Sequence, residues 1–177
     1  MTVSKWALDK AHSSVDFSVR HMMISSVKGS FNEFSASIEA DPSDLTTAKI
    51  EFTIELASVD TRNDDRDNHL RSADFFDVEN TPTMTFTSTQ ITKKADDEYE
   101  VTGNLSLHGK TNQETFLVTF EGEGKDPWGN LKVGFSAEGK INRSDYGLSW
   151  NAALETGGVL VGDQIKVALQ LQATKEA

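Results

Sequence analysis

The sequence predicts an all-β fold: an antiparallel up-and-down β-barrel of about eight strands with a short helical segment near residues 62–71. Three observations predict it. Apolar residues recur with a period of two, not with the helical period, through most of the chain. Turn residues separate these runs, and in the second half the connections are short enough for hairpins. One stretch, 61–71, replaces the alternation with a dense run of charges. A two-sheet sandwich also holds such strands, but the hairpin order, a change of phase early in the chain and the strand lengths favour closure into a barrel.

Val15, Phe17 and Val19 open the series on one parity. Val27, Gly29 and Phe31 share the next, whereas Phe34, Ala36 and Ile38 have the opposite one, with Asn32 and Glu33 between them. We expect a β-bulge there that bends one long strand, the alternative being two short strands joined by a kink. After Asp41-Pro42-Ser43-Asp44, the residues Ile50, Phe52, Ile54 and Leu56 alternate with Glu51, Thr53, Glu55 and Ala57. Residues 61–71 follow, with Asp60 or Thr61 as the expected helix cap, Asp67–Arg71 and Arg62–Asp65 at ion-pair spacing, and Phe75 and Phe76 to pack the piece onto the sheet edge or barrel mouth. Turn signals at Asn80-Thr81-Pro82 and Asp96-Asp97 precede Val101, Gly103, Leu105 and Leu107, which alternate with Thr102, Asn104, Ser106 and His108. Beyond His108-Gly109-Lys110 come Phe116, Val118 and Phe120; beyond Asp126-Pro127-Trp128-Gly129-Asn130 come Leu131, Val133, Phe135 and Ala137. A turn at Gly157-Gly158 leads to Ile165, Val167, Leu169 and Leu171, set against Lys166, Ala168, Gln170 and Gln172. Successive strand side chains point to opposite faces, so every run has one apolar and one polar face.

The 177 residues are expected to form one domain, 1–177, of ordinary globular composition, with 37% hydrophobic and 25% charged residues. A formal net charge of −11 disfavours nucleic acid and anionic membrane surfaces as partners. There is no cysteine, which removes disulfides, thiolate metal sites and a thiol nucleophile. The longest apolar runs, such as Met22-Met23-Ile24 and Val159-Leu160-Val161, are far short of the roughly 20 residues of a membrane span. With no apolar leader at the start of the chain, a cytoplasmic protein is expected.

Nothing in the sequence marks catalytic chemistry. His12, His21, His69 and His108 lack ligand spacing, so no metal is expected. Asp64, Asp65, Asp67 and Asn68 resemble a calcium loop only loosely, without its Gly and distal Glu. No Gly-x-Ser-x-Gly elbow, Walker loop or dinucleotide fingerprint occurs, so no cofactor is expected either. His21 and Asp16 are the acid–base candidates, but their opposite parity puts them on different faces. Arg20 and the other arginines read as ion-paired groups or as polar handles for a ligand head.

Several long stretches carry a family resemblance. Residues 12–23 (His-Ser-Ser-Val-Asp-Phe-Ser-Val-Arg-His-Met-Met), the stretch from Thr61-Arg62-Asn63 through Arg66 to Asp77, the blocks Asp126–Asn130 and Gly134–Ala137, Ile141–Asn151, and Leu154–Gly162 resemble motifs of the YceI-like family over nearly the whole chain. The resemblance implies an extended, lipocalin-like eight-stranded barrel whose cavity binds a polyisoprenoid or other long-chain amphiphilic lipid, often in a homodimer. It transfers no catalytic residue.

The apolar parity marks the expected cavity lining. In the first half of the chain it consists of Phe17, Val19, Phe31, Phe34, Ile38, Phe52 and Ile54. In the second half it consists of Phe86, Leu105, Leu107, Phe116, Val118, Phe135 and Trp150. Expected head-group contacts are Arg62, Arg66, His69 and Arg71 in the charged segment, and Asn142 and Arg143 near the last turn. Storage or transport of such a lipid is the function this reading favours. The alternatives are an enzyme using the same cavity on an isoprenoid-like substrate, or a stress-related barrel without ligand, which cavity volume separates from the first.

Overall fold

The computed structural model describes residues 3–22, 24–151 and 160–176. Met23 of the first apolar run, the Gly157-Gly158 turn and most of the 154–162 block lie outside the described residues. Along the chain run β1 (Ser4–Leu8), β2 (Ser14–His21), β3 (Ser25–Phe31), β4 (Phe34–Asp41), β5 (Asp44–Glu55), β6 (Val59–Asp60), α1 (Asp64–Arg71), β7 (Thr83–Ala95), β8 (Glu98–Leu107), β9 (Lys110–Lys125), β10 (Leu131–Asn142) and β11 (Val161–Lys175).

The strands form one antiparallel sheet that closes on itself, because β11 pairs with β10 along one edge and with both β1 and β2 along the other. Three pairs of segments run end to end. β1 and β2 lie in line along β11, β3 and β4 lie in line beside them, and β5 and β6 lie in line beside those. The result is a closed barrel of eight staves with one short helix.

The three interrupted staves break side by side. Asp9 caps the first break by accepting the Ala11 N–H at 3.1 Å. The second falls at Asn32-Glu33 and takes the form of two strands joined by a kink, not of a bulge inside one strand. There the stave changes neighbours, from β2 and β6 to β1 and β5. The Asn32 N–H donates to Ser58 O at 3.2 Å and the Glu55 N–H to Glu33 O at 2.9 Å, so the kinked backbone keeps its partners. The phase flips across the kink, and both Phe31 and Phe34 are buried. A true bulge lies between β9 and β10, where Glu121 is the extra residue beside Gly122, whose φ of 126° requires glycine.

The helix starts later than expected. Its cap is Asn63, whose Oδ1 accepts the Arg66 N–H at 3.0 Å, not Asp60 or Thr61. Thr61 instead donates its N–H at 2.9 Å and its hydroxyl to Oδ1 of Asp67, which is only 5% exposed. Asp67 is therefore an internal anchor of the helix and not the surface partner of Arg71. Arg71 donates to the carbonyls of Ala57 and Val59 at 2.9 and 3.2 Å and so ties the helix to the third break. Phe75 and Phe76 turn under the helix toward the barrel end, as expected.

A 3₁₀ turn after β10 carries Tyr146, which is fully buried and donates its hydroxyl to Glu114 Oε1 at 3.0 Å. Burial pushes the Glu114 carboxyl above its ordinary value, with Asp145 adding to the effect. A folded state that holds this proton more tightly than the unfolded chain loses stability as pH rises above 4.5. Glu114→Gln keeps an acceptor for Tyr146 and removes the titration. We expect its urea midpoint, measured across the acid-to-neutral range, to decline less with pH than the parent's and to match or exceed it at neutral pH. A steeper decline for the variant would contradict the assignment.

Candidate ligand cavity

Because every stave turns its apolar parity inward, the lumen wall is aliphatic and aromatic. The side chains do not fill it. A lower cavity of about 190 Å³ lies toward the chain termini, and an upper one of about 250 Å³ lies beneath α1. The two share wall residues, and joined they fall within the roughly 300–1,000 Å³ of small-molecule sites.

The lower cavity is walled by Ile38, Phe52, Ile54, Phe86, Leu105, Phe116, Val118 and Phe135 from the expected set, together with Trp6, Val101 and others. Phe17 and Phe31 face both cavities. Val19, Leu107 and Trp150 face the upper one. Phe34 is the exception: it is buried in the core, its ring stacked on Phe52 at a centroid distance of 5.8 Å, and it does not line either cavity. Its parity is inward, but at the kink it sits behind the wall and not in it.

The upper cavity has a polar roof. Arg66, His69 and Leu70 project into it from α1 because residues three and four apart share a helix face. His69 approaches Asp74 Oδ2 at 3.0 Å through Nε2, and its ring meets Trp150 and Phe75 edge-on at 4.8 and 5.0 Å. Arg66 spends two of its nitrogens on Thr61, on the hydroxyl and the carbonyl, both at 2.8 Å. Arg143 also reaches the cavity, yet it is 5% exposed and its guanidinium donates to the carbonyls of Leu148, Trp150, Val161 and Gly162. It holds the loop around Trp150 more than it offers a fork to a ligand.

Three expected head-group residues lie elsewhere. Arg62 precedes the helix cap and is exposed on an outer groove, Arg71 points to the break in the third stave, and Asn142 is exposed at the end of β10. The cap lies two or three residues beyond the expected one, and of the segment's three arginines Arg66 alone lines the upper cavity. His21 faces the upper cavity, while Asp16 is exposed on the opposite face of the same strand. Met84 and Trp6 were missed: Met84 shares the parity of Phe86 and was legible, whereas Trp6 sits in a strand of five residues too short to show a period. Among the described residues, no three His, Asp or Glu side chains converge in a way that could hold a metal ion. No helix among them is long and apolar enough to cross a membrane.

Residues 6–173 match the sequence profile of the YceI-like domain. A UPF0312 protein of Staphylococcus epidermidis is 44% identical over 165 residues, covering 93% of this chain and 94% of its own. Among solved structures, BcnA of Burkholderia cenocepacia superposes with a TM-score of 0.83 at 28% identity, over 94% of this chain and 99% of that one. The YceI protein of Campylobacter jejuni superposes with a TM-score of 0.77 at 34% identity, over 89% and 90% of the two chains. A polyisoprenoid-binding domain from Saccharophagus degradans shares the fold, with a TM-score of 0.70 at 17% identity over 97% and 98%.

Proposed function

The chain belongs to the YceI-like family, and on that premise we propose that it binds a polyisoprenoid or similar long-chain amphiphilic lipid, tail along the barrel axis and head beneath α1. The observation that carries this reading is the pair of adjoining cavities with shared wall residues, one walled by apolar side chains and the other roofed by Arg66, His69 and Trp150. Burying a tail there gains about 25 cal/mol per Å² of apolar surface before the costs of association. Such binding needs shape and apolar area and no reacting group, which favours a carrier over an enzyme. It also fits a fold shared with a polyisoprenoid-binding domain. Since Arg66 and Arg143 already donate to protein oxygens, a head group would be held by weak polar and aromatic contacts more than by a strong ion pair. The unfilled lumen speaks against a barrel that works without a ligand. The family resemblance carries a homodimer with it, which sedimentation of the purified protein would test.

The direct experiment is native mass spectrometry of freshly purified protein, paired with organic extraction. We expect a bound apolar molecule in the extract, and a delipidated sample that takes up a long-chain prenyl alcohol. A sample that carries no lipid and takes none up would overturn the proposal.

A further inference from the structure

Phe17, Phe31, Met84, Ile141 and Val167 are the residues that line both cavities, so they stand where the two adjoin. Phe17 and Phe31 meet there with centroids 5.3 Å apart, and Phe31 continues to Phe76 under the helix at 5.8 Å. Phe17 lies directly opposite Gly29 on the next strand. A Cβ on Gly29 would stand 2.5 Å from Phe17 Cζ, 2.8 Å from its Cε1 and 2.8 Å from Thr61 Cγ2. The ring therefore lies flat across bare backbone, against the wall and out of the lumen. Two of the three contacting atoms are the far end of the Phe17 ring and the third is the methyl group of Thr61, which is buried and hydrogen-bonded to Asp67; the ring is the partner free to yield, and the lumen is its open direction. Phe116 lies over Gly139 in the same way lower in the barrel, with Cδ1 2.4 Å from where a Cβ would be.

We infer that Phe17 and Gly29 form a gate between the two cavities that decides how far a lipid tail enters, and hence which tail lengths the protein accepts. The inference rests on the lipid-binding reading proposed above. With the ring laid on Gly29 a long tail passes the waist and reaches the lower cavity. With the ring lifted off, only the upper cavity is open and short tails alone are held well.

The test compares the wild type with Gly29→Ala, Phe17→Ala, Phe17→Trp and the double variant Gly29→Ala/Phe17→Ala. Each is exchanged into detergent micelles carrying farnesol or geranylgeraniol, and occupancy is read by native mass spectrometry. The wild type should bind both. Gly29→Ala should keep farnesol and weaken geranylgeraniol by at least about tenfold, since several tail carbons lose their apolar surroundings. Phe17→Trp narrows the same passage without altering β3 and should show the same selective loss, which covers the case in which Gly29→Ala does not fold. Phe17→Ala should bind geranylgeraniol at least as well as the wild type. The double variant should bind geranylgeraniol better than Gly29→Ala, because no ring remains to be displaced while the contact with Thr61 is common to both; simple damage to the strand would not be rescued in this way. A wild type that binds while every folded variant keeps its length profile, or a double variant that stays deficient, overturns the gate alone. A wild type that binds no alcohol of any length overturns the lipid-binding reading and the gate with it.

Discussion

Arg143→Met should destabilise the barrel by about 3–5 kcal/mol, read as a drop in urea midpoint at unchanged slope. The side chain is 5% exposed, and its guanidinium donates to Leu148 O at 2.6 Å, Gly162 O at 2.9 Å, Trp150 O at 3.0 Å and Val161 O at 3.3 Å. These carbonyls belong to two stretches separated in sequence, 148–150 and 161–162, and one cation gathers them. Methionine fills a similar volume but donates nothing, and a carbonyl left buried without a partner costs about 1–3 kcal/mol. Water can reach some of the four once the loop loosens, which keeps the total below their sum. Arg143→Lys restores the charge without the planar fork and can serve fewer of these acceptors, so it should fall between methionine and the wild type. The Trp150 ring should also loosen from His69 and Phe75, so its fluorescence should shift toward that of exposed indole. A methionine variant within about 1 kcal/mol of the parent would show that water replaces the guanidinium without loss.

The barrel was legible in the sequence because strand periodicity is local. Phe52, Phe86, Leu105, Phe116 and Phe135 face the lumen for the same reason that their neighbours face solvent, and that reason needs no knowledge of the partner strand. What was hidden depended on register or on contacts between distant residues. Arg143 looked like a head-group contact because the carbonyls that occupy it include residues 161 and 162, which only the closed β10–β11 pairing brings near. Arg71 was misplaced for a similar reason, since its acceptors lie in the broken stave at residues 57 and 59. The helix boundary was off by two or three residues because Asp60, Thr61 and Asn63 are all good caps, and only the burial of Asp67 against Thr61 selects Asn63. At Asn32-Glu33 the phase change was visible, but whether it marked a bulge or a kink turned on the neighbouring strands. Phe34 was misassigned with it, since parity says inward and does not say wall or core.

Phe52 and Glu51 put the cavity face to its sharpest test. They are adjacent on β5, so their side chains leave the sheet on opposite sides. Phe52 is 8% exposed, stands opposite Phe86 and Ala36 on the flanking strands, and walls the lower cavity. Glu51 is exposed and stands opposite Thr87 and Ser37. Phe52→Glu removes a ring whose loss alone costs about 3–5 kcal/mol, and it puts a carboxylate where nothing apolar can solvate it. We expect a large fall in melting temperature and loss of a fluorescent long-chain probe. The new carboxyl would titrate above its ordinary value in the folded state. Its electrostatic penalty is therefore present at neutral pH and recedes as pH falls through that raised pKa and the ordinary one below it, so acidification should recover part of the lost stability. Phe52→Leu keeps the face apolar and should retain the probe at a smaller cost in stability. Glu51→Phe adds one exposed ring and should change stability by less than about 0.5 kcal/mol, with the probe still bound. Both variants alter the same strand, so general damage to β5 predicts similar losses for the two, whereas a ligand held in the lumen predicts loss for Phe52→Glu alone. If Glu51→Phe released the probe and Phe52→Glu held it, the lipid would have to lie on the outer face of the sheet.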